Sequence, residues 1–320
     1  MKPSTWINAF QPADGPPPQT LGRFYYWCIK GSFPVLTLSA IAAALTGLFE
    51  VATALILGMV IDGAIESGAS FVSDNTTMLL WVTAFFLLLR PLAIVVNVGL
   101  QYITINPNIF PLVLSRLNRY TLGHSVSFFD NDFAGRIAQK QMQTARAVSE
   151  VVVETINVIA FAFASLLGSA ALLGTIDWRI GLALILWLGI YAALIRWFLP
   201  RIRIRAKDRA ASRAVLSGQI VDTVTNIKTV KLFAHHRHED NAAKTAMVGL
   251  RHRMLEFGRL TTMFRFSLMA VAGSIPVTLV GGALWLWSYG EITPGDIAIT
   301  GAVALRISQL TGWVSFTLMG

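Results

Sequence analysis

Six stretches of the chain are almost continuously apolar, near Phe33 to Asp62, Thr77 to Ile105, Val148 to Thr175, Arg179 to Leu199, Thr262 to Tyr289 and Pro294 to Gly320. Each can cover a hydrocarbon core of roughly 30 Å, which takes about 20 helical residues. Lipid offers the backbone no hydrogen-bond partners, so a crossing segment must satisfy its own N–H and C=O groups, and each stretch predicts a helix. None shows the alternation of a barrel strand. The fold class expected is an all-α membrane protein with six long transmembrane helices.

The polar connections sort by sign. Asp62, Glu66 and Asp74 follow the first stretch, and Glu291 and Asp296 precede the sixth. Arg116, Arg119, Arg136, Lys140 and Arg146 fill the second connection, and Arg201, Arg203, Arg205, Lys207, Arg209 and Arg213 open the fourth. Lys and Arg are retained on the cytoplasmic side during insertion, which places both basic connections and the N-terminus inside. These connections, residues 106–147 and 200–261, far exceed the roughly 2–8 residues usual between bundled helices. They are rich in helix formers and poor in Gly and Pro, so the membrane helices are expected to continue as two extended cytoplasmic arms.

A helical arm that stands clear of the lipid suits a soluble partner pushing from a distance. The expected handles are short helices across the tips. The first is Ser127 to Gly135, with Phe128, Phe129 and Phe133 beside Asp130; the second lies around Ser212 to Asp222 and includes Ser217 and Gln219. Aromatic side chains in a charged loop suit a partner's pocket, or else packing between the arms.

Before the first span, residues 1–20 hold Pro12, Pro16, Pro17 and Pro18 and read as a flexible leader without the basic-then-apolar order of a secretion signal. Residues 21–32, with Phe24, Tyr25, Tyr26 and Trp27 between Arg23 and Lys30, read as an elbow helix in the headgroup layer. Residues 33–320 then form one six-span domain.

Composition narrows the function. The chain is 54% hydrophobic and 13% charged, where a soluble domain carries roughly a quarter charged residues. Its net charge of +9 is spent on loop topology rather than on one basic, aromatic face, which argues against nucleic acid as a partner. The single cysteine, Cys28, reads as apolar filler, and no Cys/His spacing suggests a metal.

Four motifs occur in order. Phe128-Phe129-Asp130 is followed by Gly135-Arg136-Ile137; Trp178-Arg179 stands between the third and fourth spans; Asn226-Ile227-Lys228-Thr229-Val230-Lys231-Leu232-Phe233 precedes Glu239; and Gly290-Glu291-Ile292-Thr293-Pro294-Gly295-Asp296 leads into the sixth. In these the chain resembles the transmembrane domain of ABC exporters of the multidrug and lipid-flippase kind, from about Phe24 onward. It departs at Thr144, where the family often has an acidic residue. The resemblance implies a domain-swapped dimer with a second transmembrane half, alternating access, and a nucleotide-binding domain that binds ATP and Mg. It further implies coupling to that domain through Phe128, Phe129, Asp130, Phe133, Gly135, Arg136, Ser217, Gln219 and Asp222. A small amphiphilic, lipid-like or drug-like substrate, contact with membrane lipid, and residence in a bacterial inner or plasma membrane complete that expectation.

No catalytic motif lies in the chain: no glycine precedes a lysine, so the phosphate-cradling loop G-x-x-x-x-G-K-[ST] is lacking, and ATPase activity is expected only with a nucleotide-binding domain. Leu216-Ser217-Gly218-Gln219 imitates a nucleotide-domain signature by coincidence at an expected tip. Polar residues inside the spans are candidates for a substrate cavity, because such groups are costly in lipid. Arg90, Asn97, Gln101 and Thr104 share one face of the second helix at regular helical spacing, Thr46, Glu50 and Thr53 sit on the first, and Arg306 and Gln309 on the sixth. Arg90 and Arg306 either face that cavity and favour anionic or amphiphilic substrates, or one of them neutralises Glu50. Two rival readings are a proton-coupled peptide transporter of the same fold and a non-transporting scaffold; the first would need titratable groups along its path, where only Glu50 stands.

Overall fold

The computed structural model describes residues 2–130, 133–233 and 236–317. Among these there is no strand. Among the described residues five helical runs are long and apolar enough to cross a membrane: Phe33–Asp74, Thr76–Leu122, Ala134–Ile176, Trp178–Thr225 and Arg237–Ser288. The sixth expected span is a helix from Pro294 to Thr317, and residues beyond 317 lie outside the described part. The helices group into two compact units: the chain through Gly181 with Ala283–Val303, and Leu182–Gly282 with the residues from Ala304 onward.

In the first unit, a short elbow helix α1 (Leu21–Ile29) leads through Gly31, at φ +93°, into α2 (Phe33–Ser67). That φ suits glycine, which has no Cβ to clash, and it lets the chain turn sharply into the bilayer helix. After the short α3 (Phe71–Asp74), the second run is α4 (Thr76–Ala84), α5 (Arg90–Gly99) and α6 (Asn106–Leu122), joined by wide π-helical turns at Phe85–Leu89 and Leu100–Ile105. Pro91 and Pro107 stand just past these turns. A proline cannot donate to the carbonyl four residues back and its ring crowds that carbonyl, so the turn before it widens. Beyond the short α7 (Val126–Asp130), the third run comprises α8 (Ala134–Glu154), a π turn at Thr155–Ala160 and α9 (Phe161–Ile176); nothing in the sequence explains that π turn. Gly47 on α2 lets α9 approach, since a Cβ there would lie 2.6 Å from the Phe161 carbonyl oxygen.

The leader differs from the flexible segment expected. Ile7 and Ala9 are buried, and Ile7 joins Trp27, Cys28, Val35, Ile105, Ile109, Leu112, Val113 and Val148 in one apolar cluster. Asn108 donates to the Ser4 carbonyl at 2.9 Å, and Trp27 Nε1 to the Gly15 carbonyl at 3.2 Å. Buried apolar residues and a set of backbone acceptors offset the entropy that a proline-rich segment, already short of freedom when unfolded, would lose on ordering.

The second unit is built on α10 (Trp178–Thr225) and α12 (His236–Ser288), joined by α11 (Ile227–Leu232). Phe198, Ile202, Phe264 and Leu268 form its buried cluster, and Trp187 Nε1 donates to the Val271 carbonyl at 2.8 Å. The final helix is α13 (Pro294–Thr317).

Candidate functional site

The first arm ends in α7, a short helix between α6 and α8. It covers the first part of the stretch Ser127 to Gly135 expected as a handle; residues 131 and 132 lie outside the described residues, and from Ala134 the chain already belongs to α8. The aromatic residues of the tip are linked ring to ring: His124 and Phe128 at 4.4 Å between centroids, Phe128 and Phe129 at 5.3 Å. Phe128 and Phe129 remain more than a third exposed, and Phe133 is 80% exposed. Phe128, Phe129 and Phe133 thus present apolar surface on an otherwise polar loop. Asp130 is exposed at the end of α7, while Gly135 and Arg136 begin α8, where Arg136 N–H bonds the Phe133 carbonyl at 2.9 Å.

The second tip requires a correction. Ser212 to Asp222 do not form a separate transverse helix; α10 runs unbroken through them to Thr225, and the chain turns later than the sequence predicts. Ala, Arg and Val carry the helix on, and the lone Gly218, worth about 1 kcal/mol against Ala, does not stop it. The stop comes at Asn226, whose side-chain amide donates to the carbonyl and carboxylate of Asp222 at 3.1 and 3.0 Å. The short helix at this tip is α11. Asp222 therefore lies in the last turn of α10, and Gln219 donates to Glu239 Oε2 at 3.3 Å, which also accepts from Thr223 at 3.0 Å. Ser217 is exposed on α10.

At the root of the first arm stands a residue whose part is not legible in the sequence. Arg116 is 2% exposed and donates to backbone carbonyls: Nε to Gln11 at 3.1 Å, Nη1 to Trp27 at 2.6 Å and Cys28 at 2.9 Å, and Nη2 to Lys30 at 2.8 Å. The last three of these carbonyls end α1 and lack partners within it, so a cation there satisfies them and opposes the negative end of the helix dipole. Close by, burial pushes the Cys28 thiol up to about 12, and the Lys30 ammonium, 2.6 Å from Asp14, holds that carboxyl below its usual range.

Within the first unit's membrane runs, Arg90 Nη2 donates to both carboxylate oxygens of Glu50, at 3.0 and 3.2 Å. The two charges cancel. Gln101 Nε2 donates to Asn97 Oδ1 at 3.4 Å, and Thr46 and Thr53 bond carbonyls of their own helix. The regular stripe expected from Arg90 to Thr104 is broken by the π turn at Leu100–Ile105, because one extra residue in a turn rotates the rest of the helix by about 100°. In the second unit, Arg306 is half-buried and Gln309 exposed on α13.

The acidic end of the first unit is fastened. Thr293 caps α13, its N–H bonded to Asp296 Oδ2 at 2.9 Å and its Oγ1 accepting from Asp296 N–H at 3.1 Å. Asp62, at the end of α2, accepts from Thr293 Oγ1 and from Gly295 N–H, both at 2.6 Å. A carboxylate over the first turn of a helix is well placed. Arg179 pairs with Glu291 at 2.8 Å. The motif from Gly290 to Asp296 is thus a cap and a clasp.

Apolar helices of membrane-crossing length, prolonged into polar arms with exposed aromatic tips, define an integral membrane protein of the helical transporter class. A family model for the ABC transporter transmembrane region matches residues 36–309, and the chain belongs to that family. It is also 29% identical over 311 residues, 93% of its length, to an uncharacterized ABC transporter ATP-binding protein of Haemophilus influenzae (strain ATCC 51907 / DSM 11121 / KW20 / Rd). The chain spans about half, 48%, of that relative.

Proposed function

We propose that this membrane domain works in an ATP-driven exporter, moving an amphiphilic, lipid-like or drug-like substrate out of the cytoplasm or the inner leaflet by alternating access. The observation that carries the reading is the exposed aromatic tip at Phe128, Phe129 and Phe133, on and beside a helix only five residues long. Nucleotide-binding domains, charged with ATP and Mg, would close against this tip and the one at α11 and drive the bundle between two states, since a ligand shifts a conformational equilibrium only through contacts that differ between the states. The matched relative's description as an ATP-binding protein supports that energy source. The Lys and Arg distribution favours arms and N-terminus in the cytoplasm, at a bacterial inner or plasma membrane. A second transmembrane half is required to close the pathway. Glu50, Arg90, Asn97 and Gln101 in the first unit and, taken by themselves, Arg306 and Gln309 in the second are offered as candidate substrate-facing residues, with the neutral Arg90–Glu50 pair suiting a substrate that carries more apolar surface than charge.

The test is Phe129→Ala in the full-length protein reconstituted into vesicles. Loss of an interface anchor worth about 2 kcal/mol lowers coupling by roughly thirtyfold. Transport should fall while the protein still assembles and binds nucleotide. Unchanged transport and unchanged substrate-stimulated ATP turnover would remove α7 from the drive. Transport that persists without ATP but follows a proton gradient would favour a proton-coupled carrier instead.

A further inference from the structure

The second unit carries a cleft unrelated to the tips or to the candidate substrate-facing residues. It has a volume of about 590 Å³ and is lined by Arg201, Ile204, Arg205, Glu256, Arg259, Leu260 and Met263. Residues 201, 204 and 205 share one face of α10, and 256, 259, 260 and 263 share one face of α12, at the three- and four-residue spacing that brings side chains together. Behind them the helices are joined by the buried Phe198, Ile202, Phe264 and Leu268.

The charges do not cancel. Glu256 accepts from Arg205 and Arg253, each at 3.0 Å, with His252 Nε2 at 3.3 Å, and Asp208 lies 3.9 Å from Arg205. That carboxylate is fully committed. Among the described residues neither Arg201 nor Arg259 has a carboxylate partner. Arg201 instead lies over the Trp197 ring, 4.0 Å from its centroid, and spends one Nη1 donor on the Trp197 carbonyl, leaving its remaining donors open, and Trp197 is half-exposed. An exposed indole beside arginines, where an apolar span becomes a basic arm, marks the headgroup level of a bilayer. Ile204 and Met263, both 61% exposed, continue the cleft as apolar surface.

We infer that this cleft is a binding site for a phosphate-bearing anionic membrane lipid, its phosphate between Arg201 and Arg259 and the start of its acyl chains along Ile204, Leu260 and Met263. Two guanidinium groups offer the forked donors that match phosphate oxygens, and the apolar strip has no use for a soluble anion. The site would hold a lipid of the leaflet on the basic side.

Mass analysis of the lipid retained by detergent-purified protein, after exchange into equal phosphatidylglycerol and phosphatidylcholine, tests this. The wild type should retain phosphatidylglycerol in clear preference. Arg201→Gln with Arg259→Gln should cut that preference about tenfold or more, as expected for two arginines at a membrane surface. Arg203→Gln with Lys207→Gln removes the same charge from other faces of α10 and should leave it largely intact. Equal loss in both variants, or no preference in the wild type, overturns the proposal. Displacement of the lipid by millimolar inorganic phosphate would assign the cleft to a soluble anion and overturn it equally. Should the double variant fail to fold, Arg259→Gln alone reads the same point at about half the logarithmic effect.

Discussion

The two arms are held at their roots by opposite means. In the first, one arginine is almost wholly buried and spends its donors on four backbone carbonyls. In the second, Arg205, Arg253 and Glu256 form a cluster still open to solvent, with side chains 42%, 43% and 26% exposed. Exposed ion pairs contribute little, about 0–1 kcal/mol each, and weaken in salt. A buried cation that loses its acceptors, or acceptors that lose their cation, costs far more. Arg116 thus ties the root of the first arm to α1 and the leader, whereas the root of the second arm is joined by exposed ion pairs and keeps charge to spare.

Substituting Arg116 should therefore do the most damage. Arg116→Leu leaves the carbonyls of Gln11, Trp27, Cys28 and Lys30 without their donor, and at roughly 1–3 kcal/mol for each acceptor left buried and unsatisfied, several kcal/mol of stability should go with it. Thermal melting in detergent would record the loss, and Cys28 would report its place. In the wild type the thiol is buried and pushed up to about 12, so at about pH 8 it should be almost entirely protonated and slow to react with maleimide. Burial holds the thiol up and the Arg116 charge draws it down, so in the variant labelling should accelerate only through the opening of the site to water, and faster labelling would report that Cys28 has lost its cover. A variant that melts within about 1 kcal/mol of the wild type and keeps Cys28 unreactive would break the contrast between the arms.

A middle effect is expected at Glu50 and Arg90, which form the first unit's intramembrane pair. Glu50→Gln leaves Arg90 charged without its carboxylate, and Arg90→Gln leaves the converse. Each single change should destabilise more than the double change, with a coupling of roughly 1–3 kcal/mol in a double-mutant cycle. Additive losses would mean that the two groups are held by other neighbours and not by one another.

Much of this is legible in the sequence because lipid imposes a coarse rule. Length, apolarity and the sign of the loops locate the helical runs, and the motif around Phe128 locates the first tip. The illegible part depends on which side chain meets which backbone atom. Arg116 counts as one basic residue among several, and no local pattern distinguishes an arginine facing water from one facing the carbonyls of a helix and leader 86 to 105 residues earlier. Asp62 reads as a mark of topology, though its reach to Gly295 comes only from the close pass of α2 and α13, where a Cβ on Gly58 would lie 2.8 Å from the Gly295 carbonyl. The second tip lies beyond its expected place because a run of helix formers carries α10 straight through Gly218. A usable signal is present in Asp222 and Asn226, one helical turn apart, whose polar side chains compete with the backbone for the last hydrogen bonds of a helix.

At that second tip only a small effect is expected. There Glu239 joins α12 to the end of α10 by accepting from Gln219 and Thr223. Both partners are neutral, so two ordinary hydrogen bonds are at stake, partly replaced by water on an exposed arm. Glu239→Gln retains the size and one acceptor, and about 0.5–1 kcal/mol of local stability should be lost. Hydrogen exchange of the backbone amides over residues 219–233 should then quicken by roughly two- to fivefold, as expected when local opening is eased by that amount. Because no formal charge sits opposite Glu239 in these contacts, added salt should leave the difference between variant and wild type unchanged, unlike the pairs at Arg205. Amides around Arg116 should not respond at all, since the first arm's root is fastened by its own buried donors. Quickened exchange at both places would show the arms to be one cooperative element and would erase the distinction between them.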